Sequence, residues 1–207
     1  MKISLLMGGH LIKYCNCYGI VSDNAAVIVD PGTYDESLFE FLEENKNKER
    51  AVLITHAHFD HIGGAELLRE KTGVKIYSSK EDAPALNDRS LNLSGRFCRE
   101  IYEFNPDITL SDGQEFLVGD LKFKALLTPG HTAGSCCYLI GDNLFSGDML
   151  FLETIGRTDL PGNRHDLVND SLKKLAGLQD NVNVFPGHGD STTIAHEKQY
   201  NPYLRNK

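Results

Sequence analysis

Three histidines and one carboxylate fall within six residues in His56-Ala57-His58-Phe59-Asp60-His61. Imidazole nitrogens and carboxylate oxygens at that density suit zinc, iron or manganese, and no thiolate stands among them. One buried histidine usually does no more than satisfy a hydrogen bond. Four ligating side chains in one short loop need more than that, because polar groups taken out of water without partners are costly and a cation serves all of them.

The loop needs a frame. Residues 51–55 are mostly apolar and β-branched, which predicts a buried strand stopping where the histidines begin. Ile62-Gly63-Gly64 then leads into a predicted helix over 65–72, with Gly73 as its stop. Upstream, a strand over 25–29 is closed by Asp30-Pro31-Gly32, and Asp35 is placed to cap a helix running to about Lys48 with Leu38, Phe39 and Leu42 on its apolar face. After a strand over 74–77, residues 79–106 read as a partly helical excursion near the site, with a helix start at Glu81-Asp82-Ala83-Pro84.

The second half repeats the theme. Residues 116–118 and 121–127 form a predicted hairpin ending in Pro129-Gly130-His131, and 136–140 with 144–146 form another ending in Gly147-Asp148. Asp166 is placed to cap a helix carrying Leu167, Val168, Leu172 and Leu175, with Gly177 after it. A last strand over 182–185 ends in Pro186-Gly187-His188. Four strand ends are thus each followed within four residues by His56, His131, Asp148 or His188. Binding sites in layered α/β proteins gather at the carboxyl ends of strands, so these residues should converge on one pocket.

Composition sets the bounds. A chain of 207 residues that is 41% hydrophobic supports one core, and one domain over 1–207 is expected. Net charge is −8, which two divalent cations would bring to −4, so no nucleic-acid surface is expected. The apolar start is too short for a signal peptide and no run reaches 18 apolar residues, which points to a cytoplasmic enzyme without membrane contact. Five cysteines without zinc-ribbon spacing argue against a disulfide framework, and Cys15-Asn16-Cys17 reads as small residues alternating on an edge strand. His10, His165 and His196 are read as histidines outside the site.

Thr55-His56-Ala57-His58-Phe59-Asp60-His61, Pro129-Gly130-His131, Ser146-Gly147-Asp148 and Pro186-Gly187-His188-Gly189 together resemble the metallo-β-lactamase superfamily, in its motif order. The resemblance implies an α/β fold, a four-layer αββα sandwich of two similar halves, with metals in a cleft at one edge of the sheets. It also implies two divalent metal ions per chain, zinc first, with iron or manganese as alternatives. His56, His58 and His131 would hold one, Asp60, His61 and His188 the other, and Asp148 would bridge them. Two such ions about 3.5–4 Å apart share a water and lower its pKa towards about 7, giving a bridging hydroxide. Asp60 and Asp148 are the expected catalytic carboxylates, orienting that nucleophile.

The runs 144–151 and 155–162, with Pro186-Gly187-His188-Gly189-Asp190 and the 191–204 stretch, resemble the short bacterial glyoxalase II-like (hydroxyacylglutathione hydrolase-like) branch. That implies a small-molecule thioester substrate, S-D-lactoylglutathione or a related acyl thioester, whose soft thiolate leaves well towards a metal. Arg157 is a candidate contact for a substrate carboxylate, with an ion pair to Asp159 as the competing reading. The chain stops at Lys207 without the helical C-terminal domain that binds glutathione in full-length glyoxalase II. The alternatives are a mononuclear iron persulfide dioxygenase, which shares a segment like Gly156-Arg157-Thr158-Asp159, a β-lactamase or lactonase-like hydrolase, and a metal-stabilised binding module.

Overall fold

The computed structural model describes residues 1–8, 15–205 and 207; His10 lies outside them. The first sheet contains β1 (Lys2–Met7), β2 (Cys17–Val21), β3 (Ala25–Val29), β4 (Glu49–Leu53), β5 (Lys75–Ser79) and β6 (Ile108–Leu110), side by side in chain order. β1 to β3 pair antiparallel and β3 to β6 parallel. The second sheet contains β7 (Glu115–Val118), β8 (Leu121–Leu127), β9 (Cys136–Ile140), β10 (Asn143–Gly147), β11 (Asn183–Pro186) and β12 (Thr192–Thr193), antiparallel throughout except for the parallel pair β10–β11.

Side-chain alternation explains the layering. On β8, Lys122 and Lys124 point to solvent while Leu121, Phe123 and Ala125 are buried. Those three meet Val27, Val29, Ala51 and Leu53 of the first sheet, with Tyr138 and Phe145, in one core between the sheets. The other face of the first sheet, through Ile28, Val52 and Ile76, packs on Leu38 and Leu42 of α1 (Glu36–Glu44) and Leu68 of α3 (Ala65–Thr72). Behind the second sheet, Leu126, Leu144 and Val184 pack on Val168, Leu172 and Leu175 of α6 (Val168–Ala176) and Ile194 of α7 (Ile194–Tyr200). These four layers are the αββα sandwich that the motifs implied. Burial on both faces is why 25–29 and 51–53 read as unbroken apolar runs rather than alternating ones.

Three local readings need correction. Helix α1 is capped by Asp35, whose Oδ1 accepts from Ser37 N at 2.9 Å, but it ends at Glu44 and not near Lys48. Residues 45–48 have no apolar side chain to bury, and the Asn45 amide bonds back to the Phe41 carbonyl at 2.8 Å. Asp166 does not cap α6: its carboxylate is held by Arg164 at 2.7 and 2.9 Å, and a 3-10 turn over His165–Leu167 leads into the helix. Cys17 opens β2, which lies between β1 and β3, so the edge is β1. The expected excursion carries two single-turn helices, α4 (Ala83–Leu86) and α5 (Ser94–Phe97). Among the described residues no helix is long and apolar enough to cross a membrane.

Candidate metal centre

Parallel pairing brings the key turns together. Val29 is in register with Leu53, so Asp30 and Thr55 leave their strands at the same edge, where Thr55 N and Oγ1 donate to Asp30 Oδ1 and Oδ2 at 2.8 and 2.6 Å. Asp30 holds a left-handed backbone (φ 52°), a conformation those two bonds and its burial maintain. Its Oδ2 also lies 2.9 Å from His61 Nδ1, which turns the far nitrogen of that ring inward. A single helical turn, α2 (Phe59–Ile62), with His58 at its N-cap, carries Asp60 and His61.

The second sheet supplies the other side. His131 Nδ1 donates to the Arg157 carbonyl at 2.6 Å, leaving Nε2 2.9 Å from His58 Nδ1 and 3.5 Å from Asp148 Oδ2. Asp148 Oδ1 is 3.3 Å from His61 Nε2, and His188 Nε2 is 3.3 Å from Asp60 Oδ2 and 3.7 Å from Asp148 Oδ2. Two glycines permit this closeness. Gly147, at φ 51°, faces Thr55, whose Oγ1 would be 2.4 Å from any added Cβ, and a Cβ on Gly187 would meet Asp148 Oδ1 at 2.3 Å.

Ties outside the cluster fix its loops. Buried Asp82, just before α4, accepts from Ala57 N, Thr132 Oγ1 and Gly134 N at 2.9, 2.8 and 2.8 Å, linking the loops that carry His56 and His131. The Pro186 carbonyl accepts from Tyr18 Oη at 2.8 Å and Asn16 Nδ2 at 3.0 Å, which seats the turn before His188. Asp30, Asp82, Asn16 and Tyr18 were absent from the sequence-level site. Asp30-Pro31-Gly32 and Glu81-Asp82-Ala83-Pro84 carried only turn and helix-start signals, which do not say what their carboxylates bond.

Three groups of side chains offer ligand atoms within 4.8 Å of one another: His56, His58 and His131; His56, His61 and Asp148; Asp60, His61 and His188. Among the described residues, His56 Nε2, His58 Nε2, His61 Nε2 and Asp148 Oδ1 are buried without a hydrogen-bond partner. Orphaned imidazole and carboxylate atoms converging in this way fit a divalent cation by donor chemistry and by satisfaction alike.

Without a cation, the electrostatics divide these residues, and His61 gives up a proton when it binds one. Burial lowers His56 far below the usual imidazole value, helped by the neighbouring His61 and His131, and lowers His58 to about 3, so both rings present lone pairs. Burial alone would raise Asp148, but His61 and His131 hold it well below the usual carboxylate range. Burial likewise opposes charge on Asp60, yet the His188 hydrogen bond and His61 bring it down. Burial disfavours charge on His61, and Cys15, Asp148 and Asp30 around it outweigh that and raise it well above the usual value. Asp82 is raised by burial against the pull of its three donors.

The centre opens into a cleft of about 560 Å³ floored by His58, Asp60, His131, Asp148 and His188 and walled by Phe59, Leu93, Phe97, Phe151 and Leu160. Arg157 lies on its rim, but its exposed guanidinium is paired with Asp159 at 2.7 and 2.9 Å. His165 bonds Thr158 and His196 pairs with Glu153, both away from the cluster.

Histidine and aspartate clusters joined by one aspartate, at the strand ends of an αββα sandwich, define a class of α/β metal-site protein. Residues 12–188 match the Metallo-beta-lactamase superfamily, and the chain belongs to that family. It is 37% identical over 193 residues to the "Probable metallo-hydrolase YqgX" of Bacillus subtilis, covering 91% of this chain and 92% of that one. It is also 37% identical over 198 residues to the "Hydroxyacylglutathione hydrolase GloC" of Haemophilus influenzae, with 93% of each covered. Among solved structures, BLEG-1, described as a B3 metallo-beta-lactamase, superposes with a TM-score of 0.87 at 35% identity, over 98% of this chain and 99% of that one. TTHA1623 in a di-iron-bound form gives 0.83 at 31%, over 99% and 100%. ETHE1 from Myxococcus xanthus gives 0.78 at 29%, over 100% and 86%.

Proposed function

We propose that the chain is a metal-dependent hydrolase of acyl thioesters with two cations per chain. The observation that carries this reading is Asp148, whose two oxygens face His61 on one side and His131 and His188 on the other, at the floor of an open cleft. When bound, divalent cations supply an acidified water and polarise the substrate carbonyl.

The chain's own residues do the rest. Asp30 and the Arg157 carbonyl fix the tautomers of His61 and His131 by accepting their Nδ1 protons, which aims the opposite nitrogens into the site. Asp148 stays ionised, with Oδ1 towards His61 and Oδ2 towards His131 and His188. Asp60, beside His188, accepts a hydrogen bond from the attacking water and orients it at the acyl carbon. Phe59, Phe97, Phe151 and Leu93 exclude bulk water around the reacting bond. Cleavage of the acyl–sulfur bond then yields a carboxylic acid and a thiol.

The name of the Haemophilus influenzae relative supports the thioester, and the di-iron form of TTHA1623 supports two sites, with iron a candidate beside zinc and manganese. The test is S-D-lactoylglutathione hydrolysis by purified protein of known metal content. Cleavage with about two metals per chain upholds the reading. A second reading, an iron persulfide dioxygenase, is favoured by the likeness to ETHE1, and oxygen uptake with glutathione persulfide in the absence of thioester cleavage would replace the first reading with it. The likeness to BLEG-1 makes nitrocefin the further control substrate.

A further inference from the structure

The 79–106 segment builds a second recess beside the cleft. A groove of about 550 Å³ is lined by Arg89, Leu93, Arg96, Ile101 and Pro161. Leu93 lines both recesses, while the neighbours Phe97 and Leu160 face the cleft where Arg96 and Pro161 face the groove. The two recesses are therefore the two sides of one thin partition made by α5 and residues 160–161.

The partition is an aromatic ladder ending in a cation. Phe97 stacks on Phe59, which stands between His58 and Asp60, with centroids 5.5 Å apart and planes 30° apart. The Arg96 guanidinium lies 5.2 Å from the Phe97 centroid. A guanidinium held against an aromatic ring keeps its fork of N–H donors free for an anion. Leu93, which starts α5, holds a left-handed backbone (φ 66°), a conformation costly for a branched side chain and found where function requires it.

The groove brings together two of the arginines that no carboxylate holds, Arg99 and Arg205 being the others among the described residues. Net charge is −8, and Arg50, Arg69, Arg157 and Arg164 each sit against a carboxylate. Among the described residues no carboxylate pairs with Arg89 or Arg96, although both are exposed. Beside them Phe97 and Ile101 are 53% and 42% exposed, offering apolar contact next to the two cations.

We propose that the groove binds the anionic tail of the substrate: a small thiol carrier bearing carboxylates or phosphates, held by Arg89 and Arg96. Its uncharged stretch crosses Leu93 and Phe97, and its acyl–sulfur bond lies in the cleft. This rests on the thioester reading and gives it a substrate class, recognised by residues of the 79–106 segment.

Calorimetric binding of two unreactive thioethers to the purified, metal-loaded chain tests it without turnover: S-methylglutathione carries carboxylates, and S-methyl-coenzyme A carries phosphates. At least one should bind, and the tighter of the two names the anion. R89A/R96A should weaken it about tenfold, and R96K by no more than about threefold, as expected for exposed ion pairs with one stacked partner. K46A, which removes one surface cation before β4 at the opposite end of that strand from His56, should leave binding unchanged. In kinetics, R89A/R96A should raise KM for the anionic thioester about tenfold with kcat within about twofold, and leave an N-acetylcysteamine thioester unaffected. Binding of neither thioether, or equal binding by R89A/R96A, overturns the groove. Arginine-dependent binding without thioester cleavage would keep the groove and overturn the hydrolase. Thioester cleavage with an unchanged KM in R89A/R96A would do the reverse.

Discussion

The two halves of the candidate centre are built differently. His56, His58 and His131 are 1%, 3% and 3% exposed, and the loops carrying them are tied together by Asp82. In the other half His61 is buried and clamped by Asp30, but Asp60 is only half-buried and the His188 side chain is 34% exposed. The difference teaches that one half is preset by buried, tied loops while the other is finished by side chains that solvent reaches. Preset ligands lose little freedom on binding, so the three-histidine half should fill first and the half holding Asp60 and His188 second.

The largest effects come from removing what the halves share or what anchors the first. His58→Ala or Asp148→Ala should lower turnover by more than about a hundredfold and reduce metal content, since neighbouring ligands stay aimed at an incomplete site. Normal turnover with full metal in either variant would show the ligand assignment to be wrong. His188→Ala should separate the halves, leaving about one metal per chain where two are expected, with the tighter site kept. Loss of both metals would mean that the halves are one cooperative unit.

Asp30→Asn comes next. It touches no cleft atom, yet it removes the carboxylate that accepts from Thr55 and faces His61 Nδ1, so metal affinity should fall about 10–100-fold. A titration against a chelator of known affinity reads that loss.

The pH dependence of the metal-free chain sharpens the contrast. His56 and His58 are depressed in the fold, His58 to about 3, so the unfolded chain takes up their protons first as pH falls below about 6.5. Their stabilisation is present above that value and declines as pH falls below it, for His58 down to about 3, by at most about 1.4 kcal/mol per pH unit for each group. His61 is raised, so its contribution is complete below about 6.5 and declines only as pH rises above it. Denaturant melts from pH 4 to 8 should therefore show His58→Ala flattening the acid limb and not the alkaline one.

The smallest effects belong to the rim. Arg157→Ala should change kcat/KM by only a few-fold, about the worth of an exposed pair, because the guanidinium is held by Asp159 while the part that positions His131 is the backbone carbonyl. His196→Ala should also stay within a few-fold, and a loss like that of His58→Ala would move the site.

Much of this was legible in the residues. The turns carrying His56, His131, Asp148 and His188 were legible because apolar strand runs stop there at Thr-His, Pro-Gly or Ser-Gly signals, while His58, Asp60 and His61 follow His56 within five residues. Less legible were contacts that tertiary packing alone decides. Asp30 and Asp82 look like turn and helix-start residues until the Thr55, Ala57 and Gly134 amides are seen to point at them. The edge strand was misplaced because Lys2–Met7 has weak alternation and is recognisable as a strand only by its pairing with β2. Asp166 failed as a cap because Arg164, two residues away, holds the same carboxylate.

The central claim is most directly tested by elemental analysis of the purified chain paired with S-D-lactoylglutathione hydrolysis on the same sample. A binuclear thioesterase should give about two metals per chain and cleavage that a chelator removes and metal restores. One iron per chain with no cleavage would contradict it.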